Sequence, residues 1–235
     1  LLEKVNRGLP AAKLTRDDVL YCYAGLRPLV ADPAAPGPGA RKDTYGVSRG
    51  SEIFDHAQAE GRHGLISAIG GKWTTSRHLA EQVVDLALRK LGRPPQPCHT
   101  AHTPLPGGAT GRFNCFVEEA TARHPHLPRP GVEHLTRSYG TRIDALAALI
   151  TQDPVMGARL APHLPELGAQ IRYAVRDEMA LTLEDALFRR TGLCTLGHPG
   201  ATALQTAAAI MAQELGWDHQ EQARQTGAVE RHFIV

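Results

Sequence analysis

The segment Leu65–Glu81, LISAIGGKWTTSRHLAE, constrains the fold of this chain more than any other stretch. A short apolar run ends in paired glycines, and two threonines then open a stretch whose apolar residues recur at helical spacing. The pattern predicts a strand, a tight turn and a helix in succession. Gly70 and Gly71 carry no Cβ, so their backbone can pass close to another group. The first N–H groups of the following helix have no intrahelical acceptor and favour an electron-rich or anionic partner. Lys72, Thr74 and Thr75 stand beside that point. The same turn serves a plain structural connection, so the residues alone leave both uses open.

Around this segment the chain falls into three stretches. Leu20–Leu26 (LYCYAGL) and Leu65–Ile69 read as strands, with an exposed loop at Ala31–Gly39 (ADPAAPGPG) and a polar turn at Asp55–Gly64. Thr74 or Thr75 caps a helix whose Leu79, Val83, Leu86, Ala87 and Leu91 share a face, and Gly92 ends it. The crossing RPPQPCHTAHTPLPGG then reads as a linker, because its prolines lack backbone donors and restrict their neighbours. Beyond it, helices are predicted over 113–124, 131–139, 141–150, 165–178, 182–191, 200–215 and 218–230. Pro165 suits a first helical turn, Thr182 to Asp185 reads as a capping box, and Gly192 and Gly216 read as stops. The expected class is α+β: the few-stranded end of one domain at 1–91, a linker at 92–109, and an all-helical domain at 110–235.

Composition excludes several classes. Lys plus Arg number 26 against 24 Asp plus Glu, with no basic stretch interleaved with aromatics, which argues against nucleic acid as a partner. No apolar run approaches the roughly 18–20 residues of a membrane span. Four cysteines with no CxxC pair read as reduced thiols, and the Cys98, His99, His102 group fits no structural zinc spacing, so no metal is expected. The polar opening LLEKVNRGLP is no signal peptide, and a start without Met points to a chain taken from within a longer product.

Two further residues stand out. Arg27 follows the apolar run of Leu20–Leu26 directly and is stiffened by Pro28, a placement that suits bidentate grip of a phosphate or pairing with a carboxylate. Arg49, in Ser48-Arg49-Gly50, is a third cationic candidate. On the helical side, Arg172, Arg176, Arg189 and Arg190 could face an anionic surface or pair with partners such as Glu178 and Asp185.

In order, YAGLRPLV, SR and LISAIGGKWTTSRHLAE resemble the FAD-dependent glycerol-3-phosphate dehydrogenases, whose pattern runs SGxRPL, SR, IxGGKxTTYRxxAE. TPLPGG at 103–108, HLTRSYGT at 134–141 and YAVRDEMALTLEDALFRRTGL at 173–193 extend the likeness over essentially the whole chain. The resemblance implies a flavoprotein that oxidises sn-glycerol 3-phosphate to dihydroxyacetone phosphate and passes electrons to quinone. It places the enzyme in the cytoplasm, peripherally on the inner face of the cell membrane, and allows a homodimer. By the family pattern Arg27 and Arg49 grip the substrate phosphate. Lys72 lies at the active site, binding substrate or assisting removal of the hydroxyl proton. Gly70, Gly71, Lys72, Thr74 and Thr75 approach the isoalloxazine ring of FAD.

Two departures qualify the resemblance. Ser76 stands where the family usually has Tyr, a position that packs rather than reacts. No GxGxxG follows a strand, so the βαβ unit for the ADP part of FAD is expected to lie outside this chain, and the chain alone to be inactive. The alternatives are a fragment of a glycerol-3-phosphate oxidase, which uses oxygen as acceptor, and a non-catalytic helical module for assembly or membrane docking.

Overall fold

A computed structural model describes residues 1–19, 21–22, 24–25 and 50–233. Its regular elements are α1 (Leu2–Gly8), β1 (Ser51–Asp55), α2 (His56–Glu60), β2 (Ile66–Gly70) and α3 (Ser76–Lys90). They continue through α4 (Phe113–Arg123), α5 (Arg129–Tyr139), α6 (Ile143–Gln152), α7 (Gly168–Arg176), α8 (Ala201–Leu215) and α9 (His219–Glu230). Among the described residues the only sheet is the β1–β2 hairpin, so the chain is a small α+β part followed by a mainly helical one. Two compact units emerge, one of residues 24–104 and one that joins residues 1–23 to residues 105–235.

The smaller unit is a hairpin with one long helix. β1 and β2 run antiparallel with Ser51 opposite Gly70 and Asp55 opposite Ile66. Between them lies not the turn read from the sequence but the five-residue α2. Asp55 accepts from the Ala57 N–H at 3.0 Å to open it, and Gly61 closes it in the left-handed region at φ 68°. Lys90, in the last turn of α3, donates to Asp55 and ties the far end of α3 to the hairpin. That hydrogen bond also holds the Asp55 carboxyl below its usual range.

The larger unit carries the hydrophobic core. Every residue of α7 from Gly168 to Ala174 is buried, which makes this nine-residue helix the centre of the unit. α8 packs along it, and its run of alanines (Ala203, Ala207, Ala208) allows close approach; a Cβ on Gly168 would lie 3.2 Å from Ile210 Cδ1. Leu135, Ile143, Leu146, Leu183, Leu187 and Met211 fill the space around this pair. All four cysteines are free, and burial pushes the Cys194 thiol up to about 12.

Several start and stop signals are realised. Asp185 Oδ2 accepts from both the N–H and the hydroxyl of Thr182, and Thr182 Oγ1 accepts from the Asp185 N–H, which is a reciprocal capping box. Gly192 and Gly216 both sit in the left-handed region. The helix expected from 165 instead begins at Gly168, because Leu160 N–H bonds Glu166 O and Arg159 bridges to Leu167, holding Pro165 in an extended lead-in. The 182–191 helix finishes in a π-helical stretch, Asp185–Arg190, where Thr191 N–H reaches back to Ala186 O.

The strand expected at Leu20–Leu26 is not formed by Tyr21, Cys22, Ala24 or Gly25, and its other residues lie outside the described ones. The Tyr21 ring packs instead against Phe188 and Phe233, with centroids 6.4 and 5.3 Å away. This packing draws the first residues into the helical unit.

Candidate functional site

β2 ends at Gly70, and the chain reverses through Gly70 and Gly71 at φ 76° and 88°. Two consecutive positive φ values are a conformation that residues with a Cβ strongly resist. Gly71 N–H donates to Gly50 O at 3.1 Å, which extends the hairpin by one bond beyond the strand. A Cβ on Gly71 would lie 3.4 Å from Ser51 Cβ, so the turn is tight as well as left-handed. Lys72 returns to extended geometry, a single 3-10 turn covers Trp73–Thr75, and α3 follows from Ser76.

The two threonines play different parts. Thr75 Oγ1 donates to Lys72 O at 3.1 Å and accepts from the Lys72 N–H at 3.3 Å, which locks the turn internally. Ser76 Oγ donates to Trp73 O at 2.8 Å and fastens the next step. The Thr74 hydroxyl and the Lys72 ammonium are exposed and, among the described residues, form no hydrogen bond or ion pair. The turn therefore presents glycine backbone, the leading amides of a helix, one free hydroxyl and one free cation on a short stretch of surface. Such a set can hold the edge of a planar, electron-rich ring and place positive charge beside it.

Gly70, Gly71, Lys72, Thr74 and Thr75 are thus brought together in one turn. Arg27 and Arg49 lie outside the described residues. Trp73, which sequence reasoning passed over, is 96% exposed between Lys72 and Thr74. An indole surrounded by polar neighbours in GGKWTT was the available signal. Ser51, also unremarked, is the residue against which Gly71 closes.

Arg172, Arg176, Arg189 and Arg190 are committed internally. Arg172 Nη1 donates to Asp153 at 2.9 Å, and its Nε lies 2.8 Å from Glu214 without hydrogen-bond alignment. Arg176 binds Glu214 through Nε and Nη2 at 2.6 and 3.0 Å. Arg189 pairs with Asp185, and Arg190 donates to the Glu178 carbonyl. Cys98 contacts Thr100 Oγ1 at 3.0 Å, with Arg77 beside both groups. No helix among the described residues is long and apolar enough to cross a membrane.

Comparison with known proteins matches residues 98–222, more than half of the chain, to the C-terminal domain of alpha-glycerophosphate oxidase. A glycerol-3-phosphate dehydrogenase of Synechocystis is 37% identical over 223 residues, which are 94% of this chain and 38% of that protein. The mitochondrial glycerol-3-phosphate dehydrogenase of Homo sapiens is 30% identical over 218 residues, 91% of this chain and 28% of that one. The crystal structure of a Bacillus halodurans glycerol-3-phosphate dehydrogenase complexed with FAD superposes with a TM-score of 0.74 at 28% identity. It aligns with 99% of this chain and 43% of that one. The chain therefore spans between 28% and 43% of the length of these relatives.

Proposed function

Because the chain belongs to the family of the C-terminal domain of alpha-glycerophosphate oxidase, we propose that it forms the C-terminal part of an FAD-dependent glycerol-3-phosphate dehydrogenase. The observation that carries this reading is the turn at Gly70–Thr75. Paired left-handed glycines and a lysine without a partner among the described residues stand at the head of a long helix, in a chain 37% identical to a protein named glycerol-3-phosphate dehydrogenase.

The residues present fit one edge of a flavin. Gly70 and Gly71 keep Cβ atoms out of the approach, and the Trp73 and Thr74 amides precede the first intrahelical bonds. The Thr74 hydroxyl is free to bond, while Thr75 holds the turn in shape. When bound, FAD supplies the acceptor for the hydride leaving the substrate carbon. Lys72 places its ammonium against the substrate, or in its neutral form takes the proton from the hydroxyl being oxidised. Its charge in the first case also favours negative charge developing nearby. Arg27 and Arg49 complete the reading as the grip on the substrate phosphate, where a guanidinium fork matches phosphate oxygens.

The rest of the assignment belongs to the same proposal. Residues 92–109 lead from the substrate and flavin part into the helical domain, the last of them from Leu105 already grouped with that domain, and the whole protein attaches peripherally to the inner face of the membrane and hands electrons to quinone. A homodimer is compatible with this arrangement. The family description also names an oxidase, so oxygen is the second acceptor to test. The functional test replaces Lys72 with Met in the assembled enzyme and follows flavin bleaching on addition of glycerol 3-phosphate. The reading requires the bleaching rate to drop by about two to four orders of magnitude, the usual span for a lost acid–base or electrostatic group. A variant that bleaches at the parent rate removes Lys72 from the active site. Oxygen consumption measured alongside quinone reduction separates oxidase from dehydrogenase.

A further inference from the structure

Residues around Gly107, the end of α5 with Gly140 and Arg142, and the chain from Tyr173 to Glu178 line an open cleft of about 540 Å3 in the helical unit. That volume falls in the range of roughly 300–1,000 Å3 typical of small-molecule sites. One wall is backbone pressed on backbone: Thr141 N–H donates to Gly107 O at 3.1 Å. Another is aromatic, with the Tyr139 and Tyr173 rings edge to face at 5.6 Å.

Four charged side chains line this cleft: Arg137, Arg142, Asp177 and Glu178. Opposite charges on one small cleft ordinarily pair, yet among the described residues none of the four forms an ion pair. The Arg137 guanidinium lies over the Phe113 ring, 5.7 Å from its centroid. Glu178 Oε2 is buried and, among the described residues, has no donor, an arrangement that ordinarily costs stability. Met179 follows at φ 58°, a left-handed conformation that a non-glycine residue adopts only where its surroundings hold it. Arg190 Nε fixes the Glu178 carbonyl at 2.8 Å, and Ala180 N–H closes the turn on Ala174 O at 2.9 Å. The turn thus holds both carboxylates at the cleft, Asp177 exposed and Glu178 partly buried with one oxygen unbonded among the described residues. Charges of both signs reach one group there: burial pushes the Tyr173 hydroxyl up, Arg142 draws it down, and Asp177 and Glu178 raise it further.

We propose that this cleft binds a small amino-acid-type zwitterion. Its carboxylate faces Arg137 and Arg142, its ammonium faces Asp177 and Glu178, and its body lies along the tyrosine rings. The four side chains sum to no net charge, so a simple anion such as phosphate answers the two arginines and leaves the two carboxylates unanswered. A zwitterion gives the groups of both signs a partner at once. This site and its ligand do not depend on the flavin reading.

The test is calorimetric titration of the 235-residue chain with four probes: phenylalanine, phenylpropionate, phenethylamine and inorganic phosphate. Phenylalanine is expected to bind at least about tenfold more tightly than each of the other three, a factor that corresponds to one good charge-assisted contact. Arg142→Gln and Asp177→Asn, both at exposed positions, are each expected to weaken phenylalanine by roughly that factor while the thermal midpoint stays unchanged. Phenylpropionate or phosphate binding as tightly as phenylalanine would overturn the proposal in favour of an anion site. Absence of phenylalanine binding would overturn it outright. The probe comparison on the parent chain decides the matter even if a variant fails to fold.

Discussion

A Cβ built on Gly140 would lie 1.9 Å from the carbonyl oxygen of Gly107, so these two glycines hold the start of the helical domain against the turn between α5 and α6. Gly140 adopts φ 54° and ψ −129°, a combination essentially confined to glycine. Gly140→Ala must push the two backbones apart and is expected to cost about 3 kcal/mol, combining steric overlap with backbone strain. Gly131, inside α5, has nothing within 4 Å of its would-be Cβ. Gly131→Ala is expected to stabilise by about 0.5–1 kcal/mol through helix propensity. Urea unfolding of both variants reads the contrast directly.

Arg172 is the cation about which the core of the helical unit is organised. It sits on the buried α7 and meets Asp153 and Glu214, and Arg176 shares Glu214. Arg172→Met removes the charge that Glu214 faces on that side, and with side-chain exposures of only 10% for both residues the loss should be felt. A destabilisation of about 3 kcal/mol is expected, as for a buried pair broken from one side. The double variant with Glu214→Gln should recover part of it, which a double-mutant cycle in urea would measure.

The last helix carries an acid-sensitive tie. Asp218 accepts from the Glu221 N–H to start α9, and Glu221 in turn holds Arg224 and the buried Gln225, whose Oε1 accepts from the Leu183 N–H. Hydrogen bonds, first from Arg224 and then from Gln225, lower the Glu221 carboxyl from 4.5 to about 2. A lowered folded-state pKa contributes stability that is present above pH 4.5 and lost as pH falls from 4.5 towards 2. Thermal midpoints of the parent and Glu221→Gln should therefore differ at pH 7 and converge across that window. Curves that stay parallel down to pH 2 would assign the tie no role.

The paired glycines, the position at which α3 starts, the Thr182–Asp185 box and the stops at Gly192 and Gly216 were legible because each is a local rule written in adjacent residues, although the Thr75 hydroxyl bonds Lys72 rather than capping α3. β1 was not: in SEIFD the two apolar residues, Ile53 and Phe54, are adjacent rather than alternating, and the strand forms because β2 is there to pair with it. Tyr21 misled for the opposite reason. Its apolar run looks like a strand, yet long-range packing against Phe188 and Phe233 decides its place. The cleft around Arg142 and Glu178 was invisible, since segments far apart in sequence supply its walls.

Within the candidate site, Thr74 and Thr75 should separate cleanly. Thr75→Ala removes both hydrogen bonds to Lys72 and is expected to lower stability by about 1 kcal/mol, the usual worth of a capping side chain. Thr74→Ala removes no bond formed among the described residues and should leave the melting temperature unchanged while weakening FAD in the assembled enzyme. Differential scanning fluorimetry alongside flavin titration distinguishes the two.

The central claim is that these residues complete a flavin site they do not form alone, and its most direct measurement is FAD titration followed by flavin fluorescence. The chain is titrated by itself and with the N-terminal part of the Synechocystis glycerol-3-phosphate dehydrogenase supplied in trans. The account expects no tight binding by the chain alone, and FAD binding with bleaching by glycerol 3-phosphate once the partner is present. Tight FAD binding by the 235 residues alone would contradict it, as would an assembled flavoprotein whose flavin glycerol 3-phosphate leaves oxidised.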